Sequence, residues 1–265
     1  MACLGPVQVI QALDQIRASS DTTAGQAGPK AMYGRLFEWL AYGTPIVDQG
    51  PIKELLREHI LNHTAIETGT FLLGRKVSKR RCHSVYSLSL AKKIHPKRLR
   101  KILECKGMIP ANCSDVALNL LVFPAEETEK LCDDLVGSVS LSQLPLEIGG
   151  SRTQVQSLYG EDIIKAIIER APDVGIGRID FARVVIDNFL SKMEDLPIGN
   201  PSGEMHDLTV VTKRTGMSTG RIISHIIAGR LSAFRIEGRI GINMVRVLSS
   251  ALCEFKANRS VLPDT

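Results

Sequence analysis

The chain has 265 residues, 44% of them hydrophobic, with a net charge of +5 and a mean hydropathy of +0.04. That is enough apolar material for two or three small modules, and it is too often interrupted to form a membrane-spanning run. Aromatic residues make up only 5%, which argues against single-strand binding on rows of stacked rings, while a pI of about 8.9 suits an anionic partner.

The opening stretch MACLGPVQVIQALDQI has no basic flank before a long apolar core, so no secretory signal is expected. Gly5–Arg17 reads as a helix with Val7, Ile10, Leu13 and Ile16 on one face. The small, polar stretch Ala18–Pro29 is expected to be a loop. Helical spacing resumes over Lys30–Ala41, through Met32, Leu36, Leu40 and the single Trp39, and again over Pro51–Asn62, through Ile52, Leu55, Leu56 and Ile60. Gly69–Ser84 reads as an extended connector or short hairpin, with five basic residues crowded into Arg75–Arg81. Short helices follow between Val85 and Ala171. Asp180 is placed to cap a further helix, Glu194–His206 is a Pro/Gly-rich linker, and a final module spans Asp207–Phe255 before a frayed end.

Three segments share one plan: a short apolar helix, a tight turn and a second helix. In Tyr86–Ile109, Ala91 is expected at the helix contact, Pro96 at the first turn of the second helix and Gly107 at its C-terminal stop. Leu99, Ile102 and Leu103 form the inner stripe, leaving Lys97, Arg98, Arg100 and Lys101 outside. In Val139–Tyr159, Gly149 and Gly150 make the turn and Ser151 caps. Val155, Leu158 and Tyr159 then face inward, with Arg152, Thr153, Gln154, Gln156 and Ser157 outward. In Asp207–Ile242, Gly216 marks the turn and Ser218 the cap; Ile222, Ile223, Ile226 and Ile227 pack and expose Arg221, Ser224 and His225. The stretch SAFRIEGRIGI then offers two β-prone runs about Glu237 and Gly238, a hairpin wing carrying Arg235 and Arg239.

The fold class expected is therefore mainly α, several small helix-turn-helix modules with a short β-hairpin wing on the last. Its parts are an N-terminal helical segment (1–68), two modules over 69–193 and a winged module over 207–255. Arg and Lys suit phosphates, and Gln, Ser and Thr suit base edges. The candidate DNA contacts are Lys79, Arg80, Arg81, Lys97, Arg98, Arg100, Lys101, Arg152, Thr153, Gln154, Gln156, Arg221, Ser224, Arg235 and Arg239.

Other chemistry is set aside. His59 and His63 have the i, i+4 spacing of metal ligands but no third ligand nearby in sequence, so packing histidines are expected. Cys3, Cys82, Cys105, Cys113, Cys132 and Cys253 contain no CxxC and read as reduced thiols; Cys105 and Cys113 could approach His95 but fit no zinc template. GRIGI and GIGRI lack the strand–helix context of a nucleotide loop, no GxSxG occurs, and adjacent acids (Asp133–Asp134, Glu161–Asp162) point to different faces. No enzyme, metal or cofactor is expected.

AGPKAMYGRLFEWL (27–40) and the run IKELLREHI…GMIP (52–110) resemble the C-terminal part of the TniQ family, accessory proteins of bacterial transposons associated with target sites; the likeness covers Gly5–Leu190. Asp207–Ile242 is similar to excisionase and MerR-type winged helices. The N-terminal domain of that family, with its paired cysteines, has no counterpart here. The resemblance implies a non-catalytic, cytoplasmic and nucleoid-associated protein that binds double-stranded DNA in transposition. The alternatives are a docking adaptor for a transposase, an AAA+ ATPase or an RNA-guided complex, and a free-standing transcriptional regulator. An unbroken basic face across the second helices would favour DNA; second helices buried against each other would favour the adaptor.

Overall fold

A computed structural model describes residues 5–20, 28–43, 50–111, 113–199 and 204–259, the side chains of 258 and 259 excepted. Cys3, most of the loop after the first helix, the middle of the Glu194–His206 linker and residues 260–265 of the frayed end lie outside the described residues, while 256–259 continue the last helix. The protein is mainly α-helical, and among the described residues no helix is long and apolar enough to cross a membrane. The chain divides into two units, 1–133 with 171–176, and 134–170 with 177–265.

The first unit opens with three helices, α1 (Pro6–Ala18), α2 (Pro29–Tyr42) and α3 (Gly50–His63). They close over Leu13, Tyr33, Leu40, Leu56 and Ile60. The expected connector is a hairpin, β1 (Phe71–Leu72) and β2 (Arg75–Lys76), whose two-residue turn, Leu73 and Gly74, has positive φ at both positions. Leu72 and Leu73 bury in the helical core. The buried Arg57 guanidinium on α3 donates to the carbonyls of Leu72 (2.7 Å), Arg75 (3.3 Å) and Lys76 (3.3 Å). Those charge-assisted bonds tie the hairpin backbone to α3.

From Cys82 the chain repeats one plan three times: a strand leads to a helix pair, and an antiparallel partner strand runs on into a third helix. In the first copy β3 (Cys82–Ser84) leads into α4 (Val85–Lys92), a turn through Lys93 and α5 (Pro96–Cys105); β4 (Val122–Pro124) pairs with β3 and continues as α6 (Ala125–Leu135). Ser84 caps α4 through the Ser87 N–H (3.1 Å). Ala91 is exposed rather than at the helix contact, because α4 starts at Val85 and buries Val85, Leu88 and Ser89.

The second copy comprises β5 (Val139–Ser140), α7 (Leu144–Glu147), α8 (Arg152–Gly160), β6 (Asp180–Phe181) and α9 (Arg183–Glu194). Asp180 does not cap α9. It is buried on β6, ion-paired with Arg178 at 2.7 Å, and Ala182 takes the cap position; strand pairing overrides the local signal. The third copy comprises β7 (Met205–Asp207), α10 (Leu208–Thr215), α11 (Thr219–Ile227), β8 (Phe234–Arg235), β9 (Val245–Leu248) and α12 (Ser249–Arg259), with sheet order β7-β9-β8. Both copies lie in the second unit and share one core, from Val139 and Phe181 to Val247 and Leu252, so the boundary expected at the linker falls inside that unit. Residues 197–199 run beside β8: Arg235 N–H donates to the Pro197 carbonyl (2.9 Å) and Gly199 N–H to the Arg235 carbonyl (3.0 Å).

The wing differs from expectation. β8 pairs with Val245 and Arg246, not with the Arg239–Ile242 run. That run is held elsewhere, because Ile242 N–H donates to the Ile148 carbonyl (3.0 Å) in the second copy's turn. Gly241 sits so close that a Cβ there would lie 2.0 Å from the Ile148 oxygen, at a φ of +56°. Gly241→Ala should therefore cost about 2–4 kcal/mol in urea unfolding. Gly216→Ala, at φ +68° but in open space, should cost only about 1 kcal/mol. Equal losses would contradict the contact.

Candidate nucleic-acid interface

The α5 stripe of Leu99, Ile102 and Leu103 is buried, each side chain contributing about 1.5–3 kcal/mol. That burial fixes the rotation of the helix, and Lys97 and Arg98 emerge exposed in its first turn. Pro96 occupies the first turn and Gly107 takes φ +66° after the last, as the sequence suggests. His95 offers no side-chain cap and the first turn holds no acid. Two cations thus sit at the positive end of a helix whose N-cap residue makes no side-chain cap. Each costs about 0.3–1 kcal/mol against the helix dipole, a cost that an anion bound there would reverse. Further along, Arg100 is half-buried and donates to the Ser114 carbonyl (3.2 Å), and Lys101 reaches the Gly175 carbonyl (3.4 Å) of the 171–176 segment. Both hold loops.

The Lys79–Arg81 cluster is largely committed within the fold. Arg81 grips Glu58 with two bonds (2.6 and 3.1 Å) and Asn62 with a third (3.0 Å), tying the start of β3 to α3. Arg80 donates to His83 Nδ1 (3.3 Å) and faces Glu67 at 4.0 Å; Lys79 faces Glu126 at 3.6 Å.

In the second unit α8 and α11 pack against each other. Gly220 N–H donates to Ser157 Oγ (2.8 Å), Ser218 Oγ to Glu161 (3.0 Å), and a Cβ on Gly220 would lie 2.6 Å from the Ser157 carbonyl oxygen. Ser151 and Ser218 cap these helices as expected, and the Gln154 side chain returns to the Ser151 N–H (2.8 Å) in a capping box. Gln154 is therefore occupied, and Ser224 is half-buried. Arg152, Thr153, Gln156 and Arg221 remain exposed. Ile222, Ile223 and Ile226 are buried, whereas Ile227 is exposed. Arg235 donates from Nε to the Leu196 carbonyl (3.1 Å), while Arg239 is exposed near the docked tip.

Two polar clusters escaped the sequence reading. On β3 the buried His83 meets Glu129 Oε1 through Nε2 (2.8 Å) and Ser87 Oγ through Nδ1 (3.1 Å). At the helical bundle, buried His59 lies between Tyr33 Oη (2.8 Å, Nδ1) and Asp14 Oδ1 (3.0 Å, Nε2), with His63 beside it. Asp14, His59 and His63 each offer a ligand atom, all within 4.8 Å of one another, the one such grouping among the described residues. The thiols differ: Cys82, Cys105, Cys113 and Cys132 are pushed up chiefly by burial, Cys132 to about 11, so they are not thiolates at neutral pH. Of the paired acids, Asp133 holds Lys92 (2.5 Å) and Glu161 accepts from Ser218.

Burial holds the imidazoles of His83 and His59 below the ordinary value of 6.5, only partly offset by their carboxylate partners. The unfolded chain then binds more protons below that value, so stability is full above pH 6.5 and is lost as pH falls through it. The melting temperature should drop between pH 7 and 5.5, and His83→Gln should flatten that dependence in part; an unchanged slope would contradict it.

Compared with protein-family models, with curated proteins and with solved structures, the chain matches none of them.

Proposed function

We propose that the chain is a non-catalytic protein of DNA transposition, related to the TniQ proteins it resembles. In this reading its first helix pair is a helix-turn-helix that meets the phosphates of double-stranded DNA through the first turn of α5. The observation that carries it is the exposed Lys97 and Arg98 at an acid-free helix N-terminus. A phosphate bound there would meet both exposed side chains and the positive end of the helix dipole. Lys93 and Lys106, also exposed, flank the same helix.

A second role rests on a separate observation. The α8–α11 packing and the docked hairpin tip take up surfaces that a winged helix would turn to DNA. The second unit then serves better as a docking body for a transposase or ATPase component than as a second reading head. Within a nucleoid-associated complex the first unit would hold the duplex and the second the partner. A free-standing regulator has no specific observation in its favour.

The test is duplex binding by fluorescence anisotropy across a salt series. Each phosphate contact contributes a slope of about 0.9 in log K against log salt. Lys97→Ala with Arg98→Ala should lower the slope by about 2 and weaken binding to all sequences alike. Arg152→Ala with Arg221→Ala should change neither. Absence of salt-sensitive binding, or an unaltered slope in the α5 double variant, would overturn the reading.

A further inference from the structure

We infer that Asp14, His59 and His63 form a binding site for one zinc-class divalent cation, which clamps α1 onto α3. The sequence offered two histidines at i, i+4 and no third ligand; the fold brings Asp14 to them from 45 residues away. His59 and His63 lie one turn apart on α3 with ring centroids 4.3 Å apart and planes tilted by 33°, and the Asp14 carboxylate reaches His59 Nε2 at 3.0 Å. Bonds of about 2.0–2.1 Å in a tetrahedral zinc site place ligand atoms about 3.3 Å apart. All three ligand atoms lie within 4.8 Å of one another, so closure needs a shift of His63 or Asp14 of an ångström or so. The Asp14 side chain is half exposed while that of His59 is buried, which leaves a path for an ion from solvent.

The surrounding hydrogen bonds present the correct nitrogen atoms. His63 Nδ1 lies 2.8 Å from the His59 carbonyl oxygen. A carbonyl can only accept, so Nδ1 carries the hydrogen and the Nε2 lone pair is available. His59 Nδ1 meets the Tyr33 hydroxyl, which can donate or accept. With no ion bound, His59 Nε2–H donates to Asp14 and Nδ1 accepts from Tyr33. With an ion bound, the hydrogen moves to Nδ1 and is donated to Tyr33, while Nε2 ligates. Outer partners of this kind orient ligating histidines in metal sites. A purely structural Asp–His–Tyr relay would account for His59 and leave out His63, whose Nδ1 is bonded to the His59 carbonyl. Two imidazole nitrogens with one carboxylate favour zinc and its neighbours over magnesium or calcium.

The experiment uses the full, untagged chain stripped of metal. Zinc is titrated calorimetrically, and Co2+ serves as a spectroscopic surrogate. The expected result is one equivalent bound, visible Co2+ bands without a near-ultraviolet thiolate band, and a melting temperature that rises with zinc. His63→Ala and Asp14→Asn should each weaken zinc at least tenfold and abolish that rise, with circular dichroism of the metal-free variants unchanged. The two substitutions are independent, so a folding defect in one leaves the other to decide. No binding by the wild-type chain, binding undiminished in a folded variant, or a thiolate band marking a cysteine site would overturn the inference.

Discussion

The contact between Gly241 and the Ile148 carbonyl governs the second unit. It can exist only because the residue at 241 has no Cβ, and the Ile242 N–H bond to the same carbonyl fixes its register. The hairpin tip of the third strand–helix copy is thereby pinned to the turn of the second. With the tip held there, β8 must find its partner further on, at Val245 and Arg246. A parallel close approach at Gly220 joins α11 to α8. The two copies become one body with one core, and that packing decides which basic and polar side chains face outward.

The first unit spends its charge differently. Arg57 closes hairpin carbonyls, Arg81 binds Glu58 and Asn62, Arg75 faces Glu54 at 3.1 Å, and Lys92 holds Asp133. Exposed pairs of this sort contribute little stability, about 0–1 kcal/mol each, but they lower the charge available to a partner. A net charge of +5 therefore says little about where an anion would bind. The first turn of α5 differs from these regions because its cations sit where the helix dipole disfavours them, so it is the strongest electrostatic argument for a phosphate partner.

Legibility followed the range of the interaction. Ser151, Ser218, Pro96 and Gly107 were readable because caps and stops are settled within three or four residues. The stripe of Leu99, Ile102 and Leu103 was readable from its period. Ala91 and Asp180 misled for a related reason: each fits a local rule, but the start of α4 and the pairing of β6 are decided by tertiary contacts. The occupation of Gln154 is legible in principle, since Ser151-x-x-Gln154 is a capping-box spacing, although the helical period alone puts Gln154 outward. Arg235, Arg100 and Lys101 bind carbonyls distant in sequence, and Asp14 meets His59 across two intervening segments. No local pattern records such pairs. The mainly α class was thus legible, and so was the exposure of Lys97 and Arg98, whereas the contacts that occupy the other candidates were not.

The most direct test of the two-part account is amide chemical-shift mapping of the isotope-labelled chain on addition of a short duplex. The account predicts shifts concentrated at Lys93–Arg100, with the amides of α8, α11 and residues 236–244 unmoved. Shifts concentrated at Arg152–Gln156, Arg221 or Arg239, with α5 silent, would contradict it.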